Sequence, residues 1–346
     1  MAGTWESQNK VLPGAYINIR TNEPLSINPG DRGIVVILQE MAFGIDGDIY
    51  TITATESNWP EKTTEVEKKL AIEALKKAKT AKVYKLKKTH TDADVTAALT
   101  ALKTVEFNVL CYPYDTGKDS AKTAITTWIK AMRDEEGVKC QAVLANHVAD
   151  TEAVVNVAHG VVLTDGAVLT AAETTAWVAG ATAGASMTTS NTGMKYDGAI
   201  DVKPRMTKTE MEAAITAGKF IFKVDAAQNV TAVYDINSLT TTSVDKGKMF
   251  TKNRVVRTID NIANDIASIF ESNYIGKVNN NDSGRSLLKA SLVDYFTTLE
   301  NMGAVQNFTT DDIVIVKGND SDAVVITVAI QPVDSVEKIY ITVNLS

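Results

Sequence analysis

The sequence predicts an α/β chain, α+β overall, in which an α/β layered domain precedes an α+β domain. Three observations predict it. From Gly33 to about Asn146 short apolar runs alternate with helical patterns, which argues for a right-handed, largely parallel sheet with helices on its faces. Two longer stretches between Arg254 and Gly303 carry apolar residues at helical spacing, and two alternating runs between Ile313 and Ile330 flank a Gly-Asn-Asp-Ser turn.

In chain order, residues 1–22 read as an arm with a short strand at Ala15 to Arg20, Ile17 and Ile19 on one side and Tyr16 and Asn18 on the other. Breakers at Asn22, Pro24 and Asn28-Pro29-Gly30 end it. Residues 23–195 form the α/β domain. Its strands are expected at Ile34 to Leu38, Ala81 to Leu86, Phe107 to Tyr112 and Lys139 to Leu144. Its helices are expected at Thr64 to Lys79, Asp92 to Lys103 and Lys118 to Glu135, with start signals such as Thr91-Asp92. An Ala/Gly/Ser/Thr-rich stretch from Thr164 to Val202 holds a helix-like piece, Thr170 to Ala183. Residues 196–330 form the second domain. A helix at Thr207 to Ala217 stops at Gly218, and a hairpin follows, Phe220 to Val224 with Val230 to Asp235. Helices at Arg254 to Tyr274 and Ser286 to Met302 lead to the hairpin of Ile313 to Lys317 and Ala323 to Ile330. Residues 331–346 form a second arm, in which Glu337 to Leu345 alternates with Ile339, Ile341, Val343 and Leu345 on one face. A strand at each extremity suits a chain that donates strands to neighbouring copies, which would complete the second domain.

The chain has 346 residues, 45% hydrophobic and 22% charged, a globular profile with ample length for two cores. Its apolar runs fall far short of the roughly 20 residues a bilayer span requires. The start, Met-Ala-Gly-Thr-Trp-Glu-Ser, has no basic or apolar signal region, so the chain is expected to be made and kept in a cytoplasm. Cys111 and Cys140 sit among apolar neighbours and read as reduced core thiols. A net charge of -7 argues against a large nucleic-acid footprint.

Chemistry-bearing motifs are missing. There is no GxxxxGK[ST] or GxGxxG to cradle phosphates, and no GxSxG, HExxH or CxxC; His90, His147 and His159 are far apart in sequence. The run Asn279 to Gly284 resembles the start of a calcium loop but has Ala290 at the twelfth position, so it reads as a polar turn and helix cap. The carboxylate pairs Asp311-Asp312 and Glu135-Glu136 read as solvated. Lysines crowded between Lys68 and Lys88, interleaved with Glu61, Glu65, Glu67 and Glu73, read as a solvated, internally paired face. No cofactor or metal site is expected.

In their order these segments resemble the contractile tail sheath family of phages and phage-tail-like bacteriocins. The resemblance rests on Gly33 to Ile37, on Lys69 to Lys85, on Val178-Ala179-Gly180-Ala181, on Lys195 to Ala199 and on Ala214 to Phe220. It rests most on the final order: Asn253 to Asp260, two helices, a hairpin, Gln331-Pro332-Val333 and an alternating strand. The resemblance implies a non-enzymatic subunit that stacks as hexameric rings around an inner tube, meets baseplate and tail terminator proteins, and contracts. It implies assembly in a bacterial host and no membrane insertion. Arm contacts between subunits would then fall on Tyr16, Ile17, Ile19, Ile339, Tyr340, Ile341, Val343 and Leu345. A basic face with Arg254, Arg257, Arg285 and Lys289 would meet an acidic tube. Two other readings stay open: a tube, fibre or other self-assembling surface protein, and an α/β ligand-binding enzyme.

Overall fold

In a computed structural model of the chain, residues 32–343 are described. The expected strand at Ala15 to Arg20 and the residue Leu345 lie outside them. The elements of the first part are β1 (Ile34–Glu40), β2 (Ile49–Thr53), α1 (Glu65–Leu75), β3 (Thr80–Leu86), α2 (Asp92–Ala101), β4 (Val109–Tyr112), α3 (Asp119–Asp134), β5 (Gln141–Ala145) and β6 (Val154–Val157). They continue with β7 (Gly160–Leu163), β8 (Val168–Leu169), α4 (Ala171–Gly184), β9 (Ala199–Lys203), α5 (Lys208–Thr216), β10 (Lys219–Phe220), β11 (Phe222–Val224) and β12 (Val230–Ala232).

Seven strands form the main sheet in the order β10-β6-β5-β4-β1-β3-β2, all parallel except β2, which runs antiparallel at the edge. The central strands are mostly apolar because both faces are covered, with Gln39, Gln141 and Asn156 as buried polar exceptions. Val35 and Ile37 of β1 join one core, shared with α1 and α4, while Val36 and Leu38 join the other, shared with α2 and α3. Four of the helices start with a Thr whose hydroxyl accepts from the backbone three residues on, while the acid there accepts from the Thr backbone: Thr64/Glu67, Thr91/Asp94, Thr170/Glu173 and Thr207/Glu210.

The Ala-rich stretch proves to be a helix buried on nearly every side. Small residues let α4 lie between the sheet and α1, and a Cβ added at Gly180 would stand 2.1 Å from the Ala74 carbonyl oxygen. Trp177 of α4 stacks on Tyr196 with ring centroids 4.5 Å apart and meets the edge of Phe222. Tyr196, Phe220, Phe222 and Ala232 all belong to this core, so it continues past the expected division at residue 195.

The second part holds α6 (Asn253–Ile269), which runs on into a π-helical turn at Phe270–Tyr274, then α7 (Asp282–Asn301), β13 (Val305–Gln306), β14 (Ile313–Lys317), β15 (Val324–Val328) and β16 (Gln331–Pro332). Its own core joins Ile262 of α6 to Leu288, Leu292, Tyr295, Phe296 and Leu299 of α7 and to Ile313 of β14. Asn281 caps α7 by accepting from the Gly284 amide at 2.8 Å, so the calcium-like run is a turn and cap, as expected.

Several details differ from the sequence reading. β2 and the short strands β6 to β9 were not expected, and the expected first strand of the Phe220 hairpin is split at Ile221: Lys219–Phe220 pairs with β6, and Phe222–Val224 pairs with β12. From Val333 to Val343 no strand forms among the described residues, so the described part of the expected strand at Glu337 to Leu345 has no strand partner there.

Gly180→Ala is expected to destabilise the chain by about 3 kcal/mol, since a methyl group would overlap the α1 backbone and force the two helices apart. Thermal unfolding would show it as a lowered Tm beside Gly166→Ala, where nothing lies within 4 Å and only the positive φ of 83° is strained.

Candidate assembly surface

In an open α/β sheet, ligands sit beyond the carboxyl ends of the strands where the order reverses, here between β1 and β4. That crevice is filled by the chain's own side chains. His90 is 3% exposed and bridges Glu40, 2.6 Å from Nδ1, and the Tyr112 hydroxyl, 2.6 Å from Nε2. Tyr114 covers the His90 ring at 4.7 Å, and its hydroxyl accepts from the Glu40 amide. Burial would raise the Glu40 carboxyl, but hydrogen bonds from His90 and Thr89 outweigh it and hold Glu40 below its usual range. His147 meets Thr126 at 3.1 Å and His159 meets the Phe222 backbone, so the three histidines are engaged separately. Among the described residues, no group of His, Cys, Asp and Glu is placed to hold a metal, and no helix is long and apolar enough to cross a membrane. Cys111 and Cys140 are both free and buried, and burial pushes each thiol up to about 12.

The lysine-rich face is paired only in part by its own glutamates: two of the pairs lie along α1 and its C-terminal cap, three reach aspartates elsewhere, and Glu73 and Lys85 are buried and not solvated. Lys68 meets Glu65, Lys76 meets Glu73, Lys77 meets Asp197, Lys85 meets Asp46 and Lys87 meets Asp94.

The polar chemistry concentrates instead along α6. The Arg257 guanidinium is fully buried, 3.2 Å from the equally buried Asp235 carboxylate, and donates to the carbonyls of Ser186 and Thr189. Asp235 also accepts from the Asn191 amide at 2.9 Å and from Asn253 Nδ2 at 3.0 Å. One turn on, Asp260 receives both guanidinium nitrogens of Arg133 from α3, at 2.6 and 2.8 Å. Asn264 closes the row with two bonds to the Lys139 backbone, each 2.9 Å. One flank of α6 is thus riveted to the α/β layer while Ile262 on another enters the second core.

Arg254 and Arg257 therefore do not form the outward basic face the sequence suggested. Arg257 has no exposure and Arg254 only 7%, with Arg254 Nη1 donating to Ser335 Oγ at 2.7 Å. Arg285 is held by Asn280 and paired with Asp282 at the start of α7. Lys289 remains partly exposed on the same helix.

Two features face outward with no partner among the described residues. The hairpin of β14 and β15 is a two-stranded sheet whose inner face, Ile313, Ile315, Ile326 and Val328, packs on α7 and its surroundings. Its outer face is apolar as well, with Val314, Val316 and Val325 each about half exposed. The second feature begins after β16. Val333 donates to the Ala304 carbonyl at 3.0 Å and Glu337 is held by Lys252, but from Lys338 onward the segment stands away from the body. Ile339, Tyr340, Ile341 and Val343 are 75%, 90%, 78% and 76% exposed. These four are the expected arm-contact residues that the description reaches; Tyr16, Ile17, Ile19 and Leu345 lie outside it.

Native alkylation at neutral pH is expected to label neither Cys111 nor Cys140, and denaturation to expose both; mass spectrometry of the intact chain reads the difference. Asp260→Ala would leave the Arg133 charge buried and unpaired and is expected to cost about 3–5 kcal/mol, measured by urea unfolding.

Comparison with known proteins follows this geometry. Residues 88–238 match the model of the phage tail sheath protein central domain, and residues 245–346 that of the phage tail sheath C-terminal domain. XkdK of the phage-like element PBSX of Bacillus subtilis (strain 168) is 36% identical over 263 residues, which is 74% of this chain. The chain spans 56% of that relative, little more than half its length. The crystal structure of the sheath tail protein from Desulfitobacterium hafniense is similar at a TM-score of 0.82 and 32% identity, with 95% of this chain and 99% of that one covered. The anti-feeding prophage helical sheath in its contracted state shares the fold, at a TM-score of 0.74 and 15% identity, over 97% of this chain and all of that one. With both family models matched over most of its length, the chain belongs to the phage tail sheath family.

Proposed function

We propose that this chain is a structural, non-enzymatic sheath subunit that polymerises as stacked hexameric rings around an inner tube and contracts to drive that tube through a cell envelope. The observation that carries the reading is the segment after Glu337. Its aliphatic side chains alternate, it has no strand partner in its own chain among the described residues, and it lies in water with Ile339, Ile341 and Val343 each at least three-quarters exposed. Such a segment is suited to being received as a strand by another sheet, which would pair its backbone and cover its aliphatic side chains. A receiver of the right kind stands on the same fold: the β14–β15 hairpin has no third strand among the described residues and an exposed apolar outer face. A two-stranded hairpin gains stability with each strand added. Donation from each copy to the next is a heterologous contact, which builds rings where its rotation closes and open helices where it does not, rather than two-fold dimers.

Contraction is supported by the likeness in fold to a sheath seen contracted. The strand of each arm would keep neighbours joined while the bodies move, because several backbone hydrogen bonds at about 1 kcal/mol each break only together. The filled crevice at β1 and β4 and the buried thiols support the non-enzymatic part of the reading. The inner tube, baseplate and terminator are the proposed partners, and the particle a phage tail or bacteriocin assembled in its bacterial host. The long helices α6 and α7 count against a purely β tube or fibre.

Deleting residues 338–346 is expected to leave a folded chain with an unchanged Tm that no longer assembles into tubes. Negative-stain electron microscopy checks it, and tubes formed by the deleted chain would overturn the reading.

A further inference from the structure

The exposed arm does not leave the body at random, for its last ordered contact is a single carboxylate. The Glu337 side chain is 6% exposed, while Ile339 two residues on is 75% exposed. Glu337 accepts from Lys252 Nζ, from Thr192 Oγ1 at 2.6 Å and from Ser190 Oγ at 3.0 Å. Those donors come from two different parts of the fold: Lys252 directly precedes α6, and Ser190 and Thr192 belong to the loop that follows α4. Lys252 is itself positioned over the Tyr234 ring, 4.1 Å from its centroid. Thr192 Oγ1 in turn accepts from the Asp235 amide at 2.9 Å, the residue that holds Arg257.

We infer that Glu337 is a latch: it fixes the root of the C-terminal arm to the junction of α6 and the α4 loop, and so sets the direction in which the arm leaves the subunit. This rests on the sheath reading for its meaning but not for its geometry. A carboxylate with three donors from rigid neighbours has one orientation, and the residues beyond it inherit that orientation. A latch on the seam also couples the two halves of the subunit to the arm, because a shift of α6 relative to the α4 loop separates Lys252 from Thr192 and frees the root. Arg254 adds a weaker hold through Ser335, so release at Glu337 lengthens the free arm back to that point.

The test uses the unassembled full chain and two variants. Glu337→Gln keeps the shape but removes the charge; Thr192→Val keeps the charge pair with Lys252 and removes one donor. Trypsin cleavage after Lys338, which must draw the residues just before it away from the body, is expected to accelerate at least about tenfold in Glu337→Gln and less in Thr192→Val. Amides of β1, β4 and β5 should exchange as in the parent chain. An unchanged cleavage rate after Lys338 in Glu337→Gln would overturn the latch, as would a comparable acceleration of amide exchange in the central strands, which would mean that Glu337 only supports the fold. No neighbouring subunit takes part in the measurement, so a failed latch and a failed sheath reading remain distinguishable: the second is tested by the 338–346 deletion.

Discussion

The buried pair of Arg257 and Asp235 sets the register of everything around it. Two charges with no exposure are costly to take out of water, and the cost is offset only while every donor and acceptor keeps its place. Asp235 is fed by Asn191, Asn253 and Arg257, and Arg257 also reaches two carbonyls of the α4 loop. A half-turn slip of α6 would strand a charge in the interior. Apolar contacts alone tolerate such slips, so the polar seam specifies the docking of the second part on the first in a way that the aliphatic core of α6 and α7 does not.

The body on either side of this seam is stiff for a different reason. The α4 helix approaches α1 so closely that even a methyl group has no room at Gly180, and its Trp177 is wedged among Tyr196 and Phe222. Close-packed interiors transmit displacement rather than absorb it. Motion of the molecule as a subunit thus falls to its outward parts, the hairpin and the segment beyond Glu337.

How much of this could be read in the sequence depended on how local each signal was. The parallel sheet was legible because Ile34 to Leu38 is a continuous apolar run and the later strands are largely apolar, and the helices because apolar spacing and their starts lie within a few residues. β2 was missed because Ile-Tyr-Thr-Ile-Thr is short, half polar and hidden behind a loop of Gly and Asp. The basic face failed on partners: Arg254 and Arg257 look like solvent-facing charges, but Ser335 and Asp235 lie 81 and 22 residues away along the chain. Glu337 was legible only as the start of an alternating run, since its donors Thr192 and Lys252 lie 145 and 85 residues away along the chain. The alternation of Ile339, Ile341 and Val343 was visible throughout, and their exposure in the folded chain is what the sequence could not supply.

The outer face of the β14–β15 hairpin also bears on life before assembly. Val314, Val316 and Val325, beside strand edges that have no partner among the described residues, make a sticky surface that invites disordered aggregation. Charge flanks that surface along the chain: Asp311 and Asp312 precede β14, Lys317 ends it, and Asp320 and Asp322 occupy the turn. Such flanking charges act as gatekeepers that oppose disordered association of the exposed valines.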